Sequence, residues 1–600
     1  MNKLSKIIFP LATTILMLLV LGYYVWVAAT NGTTLVTKRD GAVYFGAFRH
    51  DEVIPGEPHY GFYNLMADAF LAGKVSLLVE PPPELLRLPN PYDPQANSAY
   101  RLNDASLYKG RYYLYFGPVP ALVLFIPFRL LPFGMITEPF AVALFGFGAF
   151  LFAALTLVQL ARKLSPAVSN SLLFLAILAL GTSNAMPFVL RRPIVYEVAI
   201  TAGAFFLMLG FFVLVRSWLK KGGLSRQTMV LLSLCWGLAV GCRVLYVFAG
   251  IGLLIIWILL LAERRERTLR GALVDALCLC LPFALCVFAL GLYNFVRFDS
   301  WTEFGVNHHL TMGVIPPEAF FRAENLKPGL YLNMLRSPQP DIYFPFFRLR
   351  TGSPIALANY HSVEPVGGFF LTSPIMIFLF AGWRKSGAIG IRGLVGLMTG
   401  MGLGILLFES FLLPGTSMRY QVDFIFPLIL TALLFWLLVD ASVKSRWVKI
   451  ALRCVSIGLL LYGIIVHLCL GFIGYNDLFR RSHPLEYAAC ENFAAPVTRV
   501  LFQVSTRGWP AIRGMFSPAS TPSPAHARKA HPMPSPTPVP TATPTPTPAA
   551  VSSITPPLSL AAADSVAVSG VSGYSAITGA DLPYLWDNKS YRSGKTCAIH

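Results

Sequence analysis

The stretch Tyr293-Asn294-Phe295-Val296-Arg297-Phe298-Asp299 ends one membrane-length apolar run and opens a polar segment that closes only at Glu364-Pro365-Val366-Gly367-Gly368, where a second apolar run begins. Residues 294–366 are too polar to cross a bilayer. A segment of the same kind, residues 30–117, follows the first apolar stretch. Two polar loops therefore bracket a block of apolar helices, and loops held by such a scaffold are where chemistry is expected.

The bulk composition agrees. The chain has 600 residues, 55% of them hydrophobic and 13% charged, with a mean hydropathy of +0.60. These values describe an all-α polytopic membrane protein. A helix needs roughly 20 apolar residues to span hydrocarbon. Candidate spans lie near 7–29, 138–161, 170–190, 195–218, 227–243, 245–262, 270–293, 368–383, 391–412, 422–441 and 447–474, about eleven in all.

Lysine and arginine set the expected orientation. Lys3 and Lys6 place the N-terminus in the cytoplasm, and Arg162-Lys163, Arg264-Arg265 and Arg384-Lys385 fall on the same side. Loops 30–117 and 294–366 are then extracytoplasmic. The run Pro118–Phe133 is short, carries Pro118, Pro120 and Arg129, and reads as a juxtamembrane or re-entrant helix rather than a crossing. The first helix reads as a retained anchor. The formal charge of +19 follows from this loop bias, and no nucleic-acid motif accompanies it.

Seven of the nine cysteines lie in expected helices, where cysteine behaves as a small hydrophobe. Cys490 and Cys597 share the expected outer compartment and could pair there. Residues 1–474 form the expected transmembrane domain and 475–516 an interfacial segment. Residues 517–548 are a Pro/Ser/Thr-rich linker that cannot bury a core, and 549–600 a short tail.

Several patterns recur in one order: Tyr63, Ala67 and Gly73; Tyr112-Tyr113-Leu114-Tyr115-Phe116-Gly117-Pro118-Val119-Pro120; Glu197 opening the fourth span; Gly237-Leu238-Ala239-Val240-Gly241-Cys242-Arg243; Tyr293 to Phe298; and Arg419-Tyr420-Gln421-Val422-Asp423. Over roughly residues 1–440 the chain resembles the GT-C superfamily of membrane glycosyltransferases that use polyprenyl-phosphate sugars, including its protein mannosyltransferase and aminoarabinose transferase branches. That resemblance implies a GT-C-like fold, a polyprenyl-phosphate-linked sugar as donor, and a glycan, lipid or protein acceptor in the cell envelope.

It also implies roles for residues. A first-loop carboxylate takes the acceptor's proton, because a hydroxyl is a poor nucleophile until a base does so. Asp51-Glu52 is the literal acidic pair; Glu57, Asp68 and Asp104 are its rivals. Glu197 is expected to position the acceptor or hold a divalent metal, with pairing to Arg191 or Arg192 as the structural alternative. Arg243, Arg297 and Arg419 are expected to hold the donor phosphate, whose oxygens a guanidinium can bind bidentately. Each could instead reach toward lipid headgroups. Asp423, one turn after Arg419, would orient that arginine. His308, His309 and His361 could join Glu197 at a metal, although adjacent histidines seldom share one ion. Two other classes fit the composition: a transporter or flippase of lipid-linked sugars, expected to show broken midplane helices, and a non-catalytic envelope assembly protein.

Overall fold

A computed structural model describes residues 3–30, 37–39, 42–45, 61–131, 135–220, 223–263, 268–311, 317–349, 362–385, 389–475 and 477–507. Among them nine helices are long and apolar enough to cross a membrane: Phe9–Ala29, Glu138–Leu164, Asn170–Val189, Val195–Trp218, Val244–Ala262, Leu269–Phe298, Gly390–Leu412, Met418–Ser442 and Arg446–Ile473. The polytopic, all-α architecture is as expected. The two remaining expected spans are present in altered form.

The span expected at 227–243 is the 17-residue helix Arg226–Cys242, packed between Val195–Trp218 and Leu269–Phe298. The chain turns at Arg243, which is extended, and a 3-10 turn Val244–Phe248 opens the next helix. The span expected at 368–383 is broken into a helical turn Phe369–Thr372 and a 3-10 segment Pro374–Phe380. Pro374 lacks an N–H and disfavours a helical conformation at Ser373, so the helix cannot run through. A second break faces it. Asn170–Thr182 and Met186–Val189 are separate helices, and the Ser373 hydroxyl donates to the Ser183 carbonyl at 2.8 Å across the gap. Asn184 donates to Leu180 O and accepts from Met186 N.

Val422–Ser442 lies at the centre, buried along almost its whole length. Leu269–Phe298 is its opposite, exposing Leu273, Leu277, Leu281, Leu285, Phe288 and Leu292. That spacing is one helical face, and an apolar stripe of this length is stable only against lipid.

The first-loop helix Phe62–Leu71 begins at Gly61 without a side-chain cap of its own. Its cap comes from elsewhere: the Tyr63 N–H donates to Glu138 Oε1 at 3.3 Å, so a buried carboxylate at the start of Glu138–Leu164 serves the open N–H groups of another helix. Pro118–Phe133, expected not to cross, contains only Ala121–Leu130 as apolar helix, whose first turn is π-helical. The two loops are joined by short backbone pairings. Leu310 N donates to Ala105 O and Asp104 N to Leu310 O, both at 2.8 Å, and the Ser106 hydroxyl donates to Gly305 O. Arg499–Ala576 forms a separate compact unit, of which only the end of helix Pro484–Arg507 is described.

Candidate functional site

Loop pairing and helix ends bring a set of charged side chains to one face of the bundle. Asp104 sits in the left-handed conformation, φ 64°, at the junction of the two loops, and its carboxylate lies 3.5 Å from His309 Nε2. The Tyr196 hydroxyl donates to Asp104 and also meets that of Tyr115. The Tyr115 ring packs edge-on against His309 at 4.5 Å. Burial and the nearby Asp104 charge push the Tyr115 phenol well above its ordinary value, so it stays protonated and can only donate or accept as a neutral hydroxyl.

Glu197 is fully buried beside this group. It faces Arg192 at 3.4 Å and Arg419 at 3.6 Å, and its other oxygen accepts from Ile194 N. Arg419 turns at 3.0 Å to Glu364 and lies over the Tyr196 ring. Burial works against the Glu364 carboxylate, but the guanidinium groups of Arg419 and then Arg192 outweigh it and hold the group below its ordinary value. Of the two candidate structural partners for Glu197, Arg192 is the one that pairs. Arg191 instead donates to Gly471 O and Thr30, pinning the ends of the first and last apolar helices.

A second group adjoins the first. Arg243 pairs with Asp423 at 3.0 Å and reaches Glu409 at 4.0 Å, while the Tyr246 hydroxyl donates to Asp423. Arg243 and Arg419 both lie over the Tyr420 ring, at 5.6 and 5.2 Å. Arg243 also lines a partly open cavity of about 180 Å³ whose other walls include Tyr115, Phe116, Gly117, Leu290 and Leu412. Its Nε has no hydrogen-bond partner. Tyr115 is thus common to the cavity and to the Asp104 group. Two of the sequence patterns meet here: a Cβ at Gly117 would overlap the carbonyl oxygen of Gly241, so residues 112–120 and 237–243 dock backbone to backbone at a position only glycine fills.

The expected site residues divide accordingly. Glu197, Arg419 and Asp104 come together, and Arg243 and Asp423 form the adjoining pair. Asp423 does not orient Arg419 as the spacing suggested. Arg419 lies in the 3-10 turn Met418–Gln421, ahead of the helix that carries Asp423, so the one-turn geometry does not hold and Asp423 meets Arg243 instead. Arg297 is not at the cavity: its guanidinium donates to Leu114 O and Asn294 Oδ1, both at 2.6 Å, and lies over Tyr293 at 3.8 Å. Asp68 is paired with Arg129 at 2.8 Å. Asp51, Glu52 and Glu57 lie outside the described residues, as does His361.

His308 is held among Tyr92, Tyr108 and Phe298. Among the described residues no three His, Cys, Asp or Glu side chains gather for a metal ion, and Glu197 faces guanidinium groups, so the residues present do not fit a metal there. Three acids were missed by the sequence reading. Glu138 and Glu409 carried a usable signal, a lone carboxylate at or inside an apolar span. Glu364 carried none, being one loop residue among many.

No family model and no curated protein matches the chain. Solved structures similar to it include ArnT from Cupriavidus metallidurans bound to undecaprenyl phosphate, at 14% identity and a TM-score of 0.40 over 83% of this chain and 80% of that one. The apo oligosaccharyltransferase of Archaeoglobus fulgidus is similar at 13% identity and a TM-score of 0.40, over 76% of this chain and 56% of that one. The Archaeoglobus fulgidus oligosaccharyltransferase AglB, in complex with an inhibitory peptide and a dolichol-phosphate, is similar at 13% identity and a TM-score of 0.35 over 78% and 56%.

Proposed function

We propose that this protein is a membrane glycosyltransferase of GT-C type that moves a sugar from a polyprenyl-phosphate carrier to an extracytoplasmic acceptor. The observation that carries the reading is the shared wall at Tyr115. On one side a cavity holds a single arginine, Arg243, with an unpartnered Nε; on the other stands the Asp104 carboxylate with Tyr196 and His309. A leaving phosphate and an acceptor's base need such adjacency. Arg243 holds the donor phosphate as charge develops on it, and the apolar walls Leu290 and Leu412 face the prenyl chain. Asp104 takes the acceptor proton. Glu197, Glu364, Arg192 and Arg419 fix Tyr196 and Tyr420 around the reacting sugar. The acceptor attacks the anomeric carbon as the bond to phosphate breaks, with inversion.

Asp51 and Glu52 remain rivals of Asp104 for the base. Purified protein in detergent, given a labelled polyprenyl-phosphate sugar and an acceptor, tests the reading without a membrane gradient. Asp104→Asn is expected to lower transfer by about 10²–10⁴-fold, the usual scale for a lost general base. Full activity in that variant would move the base to the Asp51-Glu52 pair. The transporter reading has one observation in its favour, the facing helix breaks at Ser183 and Ser373. The hydroxyls there bond to each other and to the backbone, leaving no set of open oxygens for an ion. Wild-type protein that carries a lipid-linked sugar across liposomes without breaking its phosphate bond would establish that reading instead.

A further inference from the structure

We infer that Glu409 and Asp423 make the Arg243 cavity a charge filter, one that accepts a phosphodiester carrying one negative charge and disfavours a phosphomonoester carrying two. The inference rests on the donor-site reading above and extends it to how the product leaves.

The two carboxylates are on neighbouring helices, Gly390–Leu412 and Met418–Ser442, and both converge on one guanidinium. Asp423 is wholly buried and lies 3.0 Å from Arg243 Nη2. Glu409 is 3% exposed and lies 4.0 Å from the same nitrogen, and neither of its oxygens has a hydrogen-bond partner. One cation therefore stands against two acids away from water. A buried charge without a counter-charge is strongly unfavourable, so the arrangement is balanced only when the pair retains a proton. A phosphodiester entering the cavity brings one negative charge to Arg243, and the group is neutral again if the carboxylate pair takes up one more proton. A phosphomonoester dianion brings a second charge that no remaining group offsets, because Arg243 is the only charged residue lining the cavity among the described residues.

The neighbouring groups do not supply the missing cation. Those acting on Arg243 are Asp423, Glu409, Tyr420 and Tyr246, and on Glu409 only Asp423 and Arg243. Of the elements packed against Gly390–Leu412, the turn Ala323–Asn325 and its flank carry Arg322 and Glu324, which pair with each other at 3.1 Å. Helix Leu326–Leu335 carries Lys327, which is exposed. The turn Val244–Phe248 contributes Tyr246, and the helix after it holds its one charged residue, Glu263, at the far end. Arg419 is already engaged by Glu364 and Glu197.

The filter has a consequence for turnover. In the proposed reaction the donor is a phosphodiester, and breaking its bond to the sugar leaves a polyprenyl phosphomonoester that ionises twice. Transfer itself then creates the species the cavity holds poorly.

The test measures binding of a short-chain prenyl phosphodiester and the matching prenyl phosphomonoester to the full chain in detergent, at pH 8.5 and pH 5.5. Taking the ratio of the two at each pH cancels any titration of the protein common to both. The wild type is expected to bind the diester at least tenfold more tightly at pH 8.5, and the preference should fall to near unity at pH 5.5, where the monoester carries one charge. Glu409→Gln, which keeps shape and hydrogen-bonding size, should shrink the pH 8.5 preference several-fold by improving monoester binding, and Asp423→Asn should do likewise. Equal or tighter binding of the monoester by the wild type at pH 8.5 overturns the filter while leaving the donor site standing. So does a preference unchanged in both variants. Failure of the folded wild type to bind either ester overturns the donor-site reading and the filter with it.

Discussion

Arg419→Met removes the cation shared by Glu197 and Glu364, at 3.6 and 3.0 Å, and keeps a side chain of similar length. Arg192 then remains as the only guanidinium facing Glu197 among the described residues. Breaking a buried ion pair by removing one partner costs about 3–5 kcal/mol, because the other charge stays behind uncompensated. The loss should depend on pH. Glu364 is held below its ordinary value, so the stability it contributes is fully present above the unfolded carboxylate value of about 4.3 and disappears as pH falls through the folded one. Without Arg419 the carboxyl rises and takes a proton at higher pH. The deficit of the variant is therefore largest near neutrality and shrinks in acid. Reversible unfolding in mixed micelles at pH 7.5 and pH 4.5 measures it, and the double variant with Glu364→Gln should recover part of the deficit at pH 7.5. A deficit equal at both pH values, unrelieved by Glu364→Gln, would mean that Arg419 acts through packing alone and would refute the electrostatic account.

Gly117→Ala should destabilise the protein by about 1–3 kcal/mol through overpacking against the Gly241 carbonyl and depress donor binding with it; an unchanged melting temperature and affinity would show that the two segments part freely. Arg243→Ala is expected to raise the donor KM more than it lowers kcat, since a charge-assisted contact to phosphate is lost, whereas Arg297→Lys should leave donor affinity near wild type, a result checked by the same titration. A cysteine placed beside Asn103 should label from outside intact cells and one beside Arg265 should not; the reverse would invert the orientation and move the site to the cytoplasmic face. Removal of residues 517–600 is expected to leave transfer by purified protein largely intact, and loss of transfer at equal expression would assign that segment a part in the reaction.

The sequence alone determined the class and most of the helices, because burial in lipid writes itself as long apolar runs that need no tertiary knowledge to read. It also supplied Glu197, Arg243 and Arg419, since charges at helix mouths stand out against an apolar background. It erred where a local rule was carried across an irregular backbone. Residues 368–383 were apolar enough to span, yet Pro374 breaks them, and the four-residue spacing of Arg419 and Asp423 implied a pair that the 3-10 turn forbids. What only the tertiary structure decided is which charges meet. Asp104 was one first-loop acid among several until the pairing of residues 104–106 with 305–310 carried it to His309 and Tyr196. Glu409 and Asp423, on separate helices, became a pair only through Arg243. Electrostatic partnership depends on distances of a few ångströms between segments far apart in the chain, and those distances are set by how helices pack, which no spacing in the sequence records.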